Sequence, residues 1–297
     1  MHKKQFLKYI EYQKKYSPHT VNSYATDLND FYSFCISNNL TESESEIVSD
    51  YKTIRKWIAF LSSQSLSSKT VNRKLSTLRS FYNFLLREKL ITFNPVLKIT
   101  RLKTEKKLPG FISEEKMDIL QTGIDFSDNF EGVRNRLMVE MLYGTGIRRA
   151  ELINLLLKDV DTRKKNIKVT GKRNKQRIIP FPDNLSDVIN KYLILRNEVL
   201  NNNNEYFFIT KKGNKIYPNL VYRTVNKYIG LISTQKKRSP HTLRHTYATH
   251  LLNNGADINA VKELLGHANL SATQIYTHNT FEKLNKIYKQ AHPRAKK

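Results

Sequence analysis

The chain has 297 residues, with 51 lysines and arginines against 26 aspartates and glutamates, and a formal net charge of +25. Hydrophobic residues make up 39% of it, which is enough to fill cores, so wholesale disorder is excluded and the length predicts two domains. The single cysteine, Cys35, excludes an intramolecular disulfide framework and a cysteine-based zinc site.

The sequence carries no recognisable membrane or secretion signal. No apolar run approaches the ~20 residues that a membrane span needs. The first residues, MHKKQFLKYIEYQKKYS, lack the uncharged apolar core and the small-residue cleavage site of a secretory signal. We therefore expect a soluble protein of the reducing cytoplasm.

Basic charge recurs along most of the chain instead of being confined to one tail. Residues 51–100 hold ten basic residues and one acidic residue, and residues 201–250 hold nine and one. The sequence pI is about 9.9. This distribution is typical of a protein that binds a polyanion along its length, and it favours nucleic acid over an acidic membrane surface.

The first part of the chain, residues 1–91, is predicted to form a four-helix domain. Ser17 followed by Pro18 provides an N-cap and a proline at the first helical position, and apolar residues then recur with helical spacing. The same pattern returns fifty residues later, and a further helix is predicted from Asp50 to Ser63. Basic side chains lie on the polar side of the last helix, where we expect them to face DNA: Arg73, Lys74 and Arg79.

Residues 92–110 break the helical periodicity and are predicted to be an extended basic linker. The turn dipeptides Asn94-Pro95 and Pro109-Gly110 bracket this segment. Its basic residues are further candidates for DNA binding, in particular Lys103, Lys106 and Lys107. A basic linker between two basic domains indicates a clamp around a duplex.

The remaining residues, 111–297, predict a second domain that is mainly helical and holds a small β-sheet, so the overall fold class is mainly α with an α+β second domain. Ser113 caps a first helix, and an apolar helix from Arg134 is predicted to end at Gly144. Strands are predicted at 166–170, 176–181 and 206–210, the first two joined in a hairpin. Further helices are predicted at 183–200, 218–232, 241–253, 257–265 and 280–290.

Three segments of the second domain carry side chains suited to phosphate chemistry. In the first, YGTGIRRAEL at 143–152, Arg148 precedes a helix, whose N-terminal amides and dipole favour an anion. Taken alone, this segment favours an ordinary turn that carries a surface arginine over a phosphate site.

In the second segment, PHTLRHTYATH at 240–250, His241 and Arg244 are three residues apart and share one helix face. His241 and His245 have metal-ligand spacing, but the neighbouring sequence offers no third ligand, so we expect no metal site. We interpret His245 and His250 as packing or surface residues.

In the third segment, Gly266 ends a helix and leaves His267 on a turn, and Tyr276 follows within the sequence IYTH. A tyrosine by itself is an ordinary core or surface residue. Only the combination of the three segments in this order distinguishes it from the other tyrosines.

The ordered motifs T-G-x-R-x-x-E, G-K-x-N-K, H-x-x-R-H, L-G-H and I-Y-T-H closely resemble those of the tyrosine recombinase (phage integrase) family, and its Xer-type branch in particular. The resemblance covers nearly the whole chain. It implies an N-terminal core-binding domain of the SAM-like type and a C-terminal catalytic domain with a tail helix.

The resemblance also implies the catalytic residues of this chain. Tyr276 matches the nucleophile, and the other matching positions are Arg148, Lys172, His241, Arg244 and His267. Glu151 matches an acidic position that orients Arg148, and Lys175 is an alternative to Lys172 in the same turn and a candidate for DNA binding. No metal and no other cofactor, ATP included, is expected.

The implied activity is site-specific recombination of duplex DNA through a 3′-phosphotyrosine intermediate and a Holliday junction. The implied partners are DNA with an inverted-repeat site and three further protomers, as a homotetramer or with a related recombinase, joined by exchange of the tail helix. A septal DNA translocase is a possible further partner, the location is the nucleoid in the cytoplasm, and no membrane is involved.

Two biological roles remain open within this family: Xer-like resolution of chromosome or plasmid dimers, in chromosome partition and cell division, and integration of a mobile element. Because the helical pattern begins within the first residues, we expect no preceding arm-site-binding domain, which favours the Xer-like role. The alternatives outside recombination are a type IB topoisomerase and a DNA-binding protein without cleavage activity.

Overall fold

The computed structural model describes residues 2–44, 46–104, 110–171, 175–199, 204–235, 237–266 and 278–295, in two units, Met1–Lys107 and Leu108–Lys297. In the first unit the predicted helical domain is confirmed. Its helices, in chain order, are α1 (His2–Lys8, continued by a π-helical turn at Tyr9–Gln13), α2 (Pro18–Ser37), α3 (Tyr51–Ser63) and α4 (Ser68–Arg87).

The helices α2, α3 and α4 are each preceded by a residue whose side chain caps the helix. The Ser17 hydroxyl accepts the backbone N–H three residues further along at 3.3 Å, which confirms the predicted cap. Ser67 makes the same bond at 3.3 Å before α4, so the sequence repeat extends to the cap geometry. Asp50 caps α3 through its carboxylate and therefore lies just outside the helix that was predicted to include it.

Aromatic side chains form the core of this unit. Phe31 of α2 and Trp57 of α3 meet edge to face with ring centroids 5.0 Å apart, and Phe6 of α1 meets Phe81 of α4 at 5.3 Å. All four rings are fully buried. These aromatic contacts therefore join α2 to α3 and α1 to α4.

Part of the segment predicted as a linker is packed on the first unit. Asn94 caps a 3₁₀ turn at Pro95–Lys98, and the side chain of Val96 within it is fully buried. The amide of Asn72 in α4 holds the backbone of Leu102 by both its oxygen (3.0 Å) and its nitrogen (2.8 Å). The apolar residues among the basic ones therefore dock this stretch, as far as Leu102, against the helices.

The second unit contains the remaining helices and one sheet. The helices are α5 (Glu114–Thr122), α6 (Phe130–Thr145), α7 (Arg149–Asn154), α8 (Asp183–Val199), α9 (Pro218–Ile232), α10 (Pro240–Asn253), α11 (Ile258–Leu265) and α12 (His278–Ala291), with 3₁₀ turns at Leu157–Asp159 and Pro293–Ala295. In the described parts of the chain, no helix combines the length and the apolar character that crossing a membrane requires.

The sheet has three antiparallel strands in the order β1 (Val160–Asp161), β2 (Asn166–Thr170) and β3 (Gln176–Pro180). The predicted hairpin is confirmed, with Ile167 opposite Ile179 and Thr170 opposite Gln176. Only two residues of β1 pair with β2, a length too short for the alternation of a strand to show in the sequence.

The third strand predicted at 206–210 is wrong. Residues there form only isolated bridges, from Tyr206 to Leu156 and from Ile209 to Lys215. Three consecutive side chains, Phe207, Phe208 and Ile209, are fully buried. An apolar run of this kind is also typical of a strand buried on both faces, so the sequence alone does not distinguish the two.

The apolar helix α6 is longer than predicted: it continues through Gly144 to Thr145, and Gly146 is its C-cap. Gly146 has φ +62 and its N–H donates to the carbonyl of Leu142 at 3.1 Å, which is a left-handed C-cap. Gly144 continues the helix, and its carbonyl accepts the hydroxyl of Tyr288 at 2.9 Å. The turn at Gly146 directs the chain into the segment that carries Arg148.

Candidate active site

Arg148 lies at the turn between α6 and α7 and is tied to Glu151 by two hydrogen bonds. The backbone N–H of Arg148 donates to Oε2 of Glu151 at 2.7 Å, and its guanidinium donates from Nη1 to Oε1 at 2.8 Å. Glu151 is buried, whereas the side chain of Arg148 keeps 32% of its surface exposed. The predicted pair is therefore in contact, with part of the guanidinium open to a ligand.

Arg177 on β3 is a site residue that the sequence prediction missed. Its guanidinium donates from Nη1 and Nη2 to Oε1 and Oε2 of Glu151, both at 2.8 Å, and only 5% of the residue is exposed. The signal that could have revealed it is the alternation of β3, which places Arg177 on the same buried face as Ile179. A basic residue on that face needs an acidic partner.

Glu151 carries a negative charge in this environment. Burial would raise the pKa of the Glu151 carboxyl, but the hydrogen bonds and charge of Arg177 and the hydrogen bonds of Arg148 outweigh burial and hold the pKa below its usual range. The carboxylate accepts four N–H groups from the two arginines. Its orientation is thus fixed from two sides.

Arg244 on α10 binds both the turn that precedes Arg148 and the last residue of α11. Its guanidinium donates from Nη1 to the carbonyl of Gly146 and from Nη2 to the carbonyl of Leu265, both at 2.6 Å. Burial and the nearby charges of Arg148 and Arg177 lower the pKa of Arg244 to about 10, so it stays charged at neutral pH.

The three arginines, Arg148, Arg177 and Arg244, which we term the arginine cluster, converge on the C-terminal end of α11. Arg177 donates from Nε to the carbonyl of Leu264 at 2.9 Å, and Arg148 donates from Nη2 to that of Gly266 at 2.9 Å. Together with the bond from Arg244, three consecutive carbonyls each accept one guanidinium. The last carbonyls of a helix have no partner within it and lie at the negative end of its dipole, so cations stabilise them.

Gly266 is the point where α11 ends. It has φ +64, a left-handed conformation, and a Cβ added to it would lie 3.0 Å from Nη1 of Arg177. The predicted helix end at Gly266 is therefore confirmed. Because Gly266 has no side chain, the guanidinium of Arg177 can approach its backbone closely.

His241 lies in the first turn of α10, one turn before Arg244. Ser239 caps this helix at the backbone N–H of Thr242 (3.4 Å), and Pro240 occupies its first position. His241 is exposed, whereas Arg244 is 9% exposed. The spacing of three residues places His241 and Arg244 on one face of α10, with the imidazole exposed.

The other predicted catalytic residues, Lys172, His267 and Tyr276, lie outside the described residues, as do Lys106 and Lys107 of the linker. Gly171 and Lys175, which bound the hairpin turn, are joined by a backbone hydrogen bond of 2.8 Å. A Cβ added to Gly171 would lie 3.5 Å from Oε1 of Glu151. The chain that leads to Lys172 therefore starts beside the pair of Arg148 and Glu151.

His250 connects α10 to α6 and to the segment that precedes α5. His250 is fully buried, its Nδ1 lies 2.9 Å from the hydroxyl of Tyr143, and its Nε2 lies 2.8 Å from the carbonyl of Ile112. Burial lowers the pKa of His250, so it is a neutral packing residue, as predicted. No group of three or more His, Cys, Asp or Glu side chains suited to a metal ion occurs among the described residues.

The basic residues predicted to face DNA from α4 differ in their surroundings. Lys74 is only 6% exposed and forms ion pairs with Asp27 and Asp30 of α2, so its predicted exposure is wrong. Lys74 follows Val71 by three residues and lies on the inward face of α4, where the two carboxylates of α2 compensate its charge and allow it to be buried. Arg73 pairs with Asp27 and keeps half of its side chain exposed.

Arg79 is half-buried, and Lys103 and Lys175 are exposed. The latter two carry no ion pair among the described residues, so they can meet a phosphate backbone without first breaking a contact described here.

The tail helix α12 packs on its own chain. Leu284, Tyr288 and Ala291 are buried, and His292, just beyond the helix, stacks on the ring of Tyr288 with centroids 4.9 Å apart. Arg294 follows and donates to the carbonyl of Met117 at 3.2 Å. Leu284 and Tyr288 of this helix therefore fill a groove of the second unit in a single chain.

Comparison with known proteins identifies relatives over almost the whole length. The model of the phage integrase family matches residues 106–283, and that of the phage integrase N-terminal SAM-like domain matches residues 4–89. The tyrosine recombinase XerC of Staphylococcus carnosus is 40% identical over 292 residues, covering 98% of this chain and 97% of that protein. The XerC protein of Listeria innocua is 40% identical over 295 residues, with coverage of 98% and 97%.

The fold is also shared with structures determined on DNA. The pre-cleavage complex of the XerH site-specific recombinase with difH substrate is 25% identical, covers 96% of this chain and 84% of its own, and superposes with a TM-score of 0.70. The post-cleavage complex of XerH with palindromic difH has a TM-score of 0.72 at 24% identity, covering 96% and 83%.

Proposed function

The chain belongs to the phage integrase family and is a tyrosine site-specific recombinase, and we propose that it cuts and rejoins duplex DNA through a covalent bond to Tyr276. In this reaction the phenolic oxygen of Tyr276 attacks the scissile phosphorus, and the bond from phosphorus to the 5′ oxygen breaks. A 3′-phosphotyrosine and a 5′-hydroxyl result. The 5′-hydroxyl of another strand reverses the step, and two such exchanges pass through a Holliday junction.

The observation that carries the proposal is the convergence of Arg148 and Arg244 on the end of α11. A guanidinium has five N–H donors, of which each of these arginines uses two in the contacts described above. The remaining donors can bind the two non-bridging oxygens, where negative charge builds up in the transition state. Because both groups are already held by protein contacts, little reorganisation is needed when the phosphate arrives.

Proton transfers are assigned to the remaining residues. Lys172 protonates the 5′ oxygen as it leaves, since an alkoxide is a poor leaving group at neutral pH. His241 assists proton transfer at Tyr276, and His267 donates a hydrogen bond to the phosphate. The position of His241 one helical turn before Arg244 supports its role beside the phosphate.

We further propose that the protein acts as a tetramer on an inverted-repeat site at the nucleoid. The tail helix α12 buries Leu284 and Tyr288 in a groove of its own chain, and an identical groove on a neighbouring protomer could accept the same side chains. The tetramer would comprise four copies, or copies paired with a related recombinase. The XerC relatives favour resolution of chromosome or plasmid dimers over integration of a mobile element, with a septal DNA translocase as a possible partner.

The experiment that tests the activity starts from the purified protein and a pool of random DNA duplexes, from which the bound site is selected and sequenced. A duplex with this site and a nick beside the scissile phosphate traps the covalent intermediate, because the short cleaved strand diffuses away. We expect a covalent protein–DNA adduct on a denaturing gel, its loss in Tyr276→Phe with DNA binding retained, and normal adduct formation in Tyr222→Phe, an exposed control tyrosine.

An adduct that persists in Tyr276→Phe would contradict the assignment of the nucleophile. Failure of the wild-type protein to form any adduct would favour a DNA-binding protein without cleavage activity. Relaxation of a supercoiled plasmid that lacks the selected site would favour a type IB topoisomerase instead.

A further inference from the structure

Arg177 is too deeply buried to act on DNA directly, yet it contacts the groups around the proposed phosphate site. It is 5% exposed, and each of its three guanidinium nitrogens already donates to an acceptor of the protein. Two of these acceptors are the oxygens of Glu151, and the third is the carbonyl of Leu264. Its contacts therefore link β3, α7 and the end of α11.

Glu151 connects Arg177 to Arg148, because both arginines bind its carboxylate. Each carboxylate oxygen accepts one N–H from Arg177 and one from Arg148, at 2.7–2.8 Å in all four bonds. A carboxylate held by Arg148 alone could rotate and take the guanidinium with it. Bidentate binding by Arg177 prevents this rotation, because a planar fork fixes the plane of the carboxylate.

A second set of contacts reaches the segment that precedes His267. Arg177 binds the carbonyl of Leu264, and Gly266 leaves room for the guanidinium where a Cβ would lie 3.0 Å from Nη1. The carbonyl of Gly266 in turn accepts Arg148 at 2.9 Å. The same buried side chain thus sets both anchors of Arg148, namely the carboxylate of Glu151 and the end of α11.

Charge balance supports the same role. The arginine cluster brings three positive charges around one carboxylate. Of the three, Arg148 and Arg177 hydrogen-bond to Glu151, so without Arg177 more of the charge of Arg148 would be spent on this carboxylate and less would be offered to a phosphate. Burial, which already opposes ionisation of Glu151, would then be less well compensated.

We propose that Arg177 is a positioning residue of the recombinase, which holds Glu151 and the end of α11 so that Arg148 presents its free N–H groups to the scissile phosphate. This inference rests on the proposed function, since it requires a phosphate at that place. Arg177 itself touches neither DNA nor the reacting atoms.

The test compares Arg177→Met and Arg177→Lys with Arg196→Met as a matched control. Arg196 is a buried arginine of the same unit that binds three backbone carbonyls, those of Asn204, Tyr206 and Phe207. Among the residues that the structure describes, it has no hydrogen bond to a proposed catalytic group. The readout is the single-turnover rate of adduct formation on the nicked duplex described above, corrected for the folded fraction, together with DNA affinity. A second duplex carries an uncharged methylphosphonate at the scissile position.

On the ordinary phosphate we expect Arg177→Met to slow adduct formation about 10²-fold or more at unchanged DNA affinity, since a misplaced charge-stabilising donor costs this much. Arg177→Lys, which keeps the charge and volume but not the fork, should show a smaller defect. On the methylphosphonate both defects should shrink to within about threefold, because less negative charge remains to be neutralised. Arg196→Met should lower the melting temperature and leave both corrected rates within about twofold of wild type.

Normal corrected rates in both Arg177 variants would overturn the inference, as would equal defects on the two duplexes. If Arg177→Met does not fold, Arg177→Lys decides by the same comparison. Absence of an adduct with wild-type protein would overturn the proposed function itself, and with it this inference, so the two failures are distinguishable.

Discussion

The backbone of Gly146 lies directly against the ring of Tyr247, so that a Cβ added to Gly146 would be 2.4 Å from Cδ1 of the ring. Gly146 also has φ +62, and its carbonyl accepts Arg244 at 2.6 Å. Tyr247 is fully buried and follows Arg244 by three residues on α10. The turn that leads to Arg148 is thus pressed onto the helix that carries Arg244, and one small residue allows this approach.

This contact predicts that Gly146→Ala disrupts both stability and the arginine cluster. The left-handed backbone alone costs an alanine about 1 kcal/mol, and the contact with Tyr247 adds a steric cost of about 1–3 kcal/mol. Gly255→Ala is the matched control, because Gly255 has φ +84 and no atom within 4 Å of an added Cβ. Urea denaturation should show a distinctly larger loss of unfolding free energy for Gly146→Ala, and equal losses would contradict the steric argument.

The buried ion pairs of α4 predict that two basic residues of the first unit behave differently towards DNA. Lys103→Met should lower the slope of the logarithm of DNA affinity against the logarithm of salt concentration by about one, as loss of one phosphate contact does. Lys74→Met should leave this slope unchanged and lower the unfolding free energy by about 1–3 kcal/mol, since Asp27 and Asp30 lose a partner. A changed salt slope in Lys74→Met would show that Lys74 leaves its ion pairs to bind DNA.

Most helices could be predicted from the sequence because their signals are local. The bounds of α9 agree with the prediction of 218–232, and the caps at Ser17 and Gly266 are confirmed. A cap and a 3.6-residue period require only neighbouring residues, so they are visible in the sequence before any tertiary contact is known.

The errors and omissions arise where contacts distant in sequence decide. Lys74 is buried because Asp27 and Asp30 lie opposite on α2, 47 and 44 positions away. Arg177 reaches Glu151 across 26 positions and Leu264 across 87. In the predicted site, the pairing of Arg148 with Glu151 was predictable because both residues belong to one motif, whereas the support of that pair by β3 depends on the fold.

His292 predicts a pH dependence of stability. It is fully buried among the rings of Tyr143, Tyr247 and Tyr288, beside Arg294, and its Nδ1 accepts the backbone N–H of Arg294 at 3.2 Å. Burial, reinforced by the charge of Arg294, lowers the pKa of His292 to about 3. The folded protein therefore keeps this imidazole neutral at a pH where the unfolded chain protonates it.

The direction in which the unfolding free energy changes with pH depends on which state binds the proton. Above the unfolded pKa of about 6.5 neither state binds the proton, and below it the unfolded state gains stability by about 1.4 kcal/mol per pH unit until the folded pKa is reached. The unfolding free energy should thus fall as the pH decreases from about 6.5 towards 3. His292→Phe should flatten this dependence by about one proton, whereas the exposed control His19→Gln should not. An unchanged slope in His292→Phe would contradict a neutral buried imidazole.

We predict different roles for the two lysines of the hairpin between β2 and β3, with Lys172 in proton transfer and Lys175 in DNA binding. Lys175 is exposed and its carbonyl closes the turn with the N–H of Gly171 at 2.8 Å, while Gly171 lies beside Glu151. If Lys172 protonates the leaving 5′ oxygen, Lys172→Ala should slow cleavage by about 10²–10⁴-fold. The defect should largely vanish on a duplex whose scissile 5′ oxygen is replaced by sulfur, because a thiolate leaves without a proton. In single-turnover adduct formation, Lys175→Ala should cleave both duplexes at rates similar to wild type, and only its DNA affinity should fall. If sulfur instead restores cleavage by Lys175→Ala and not by Lys172→Ala, the proton comes from Lys175.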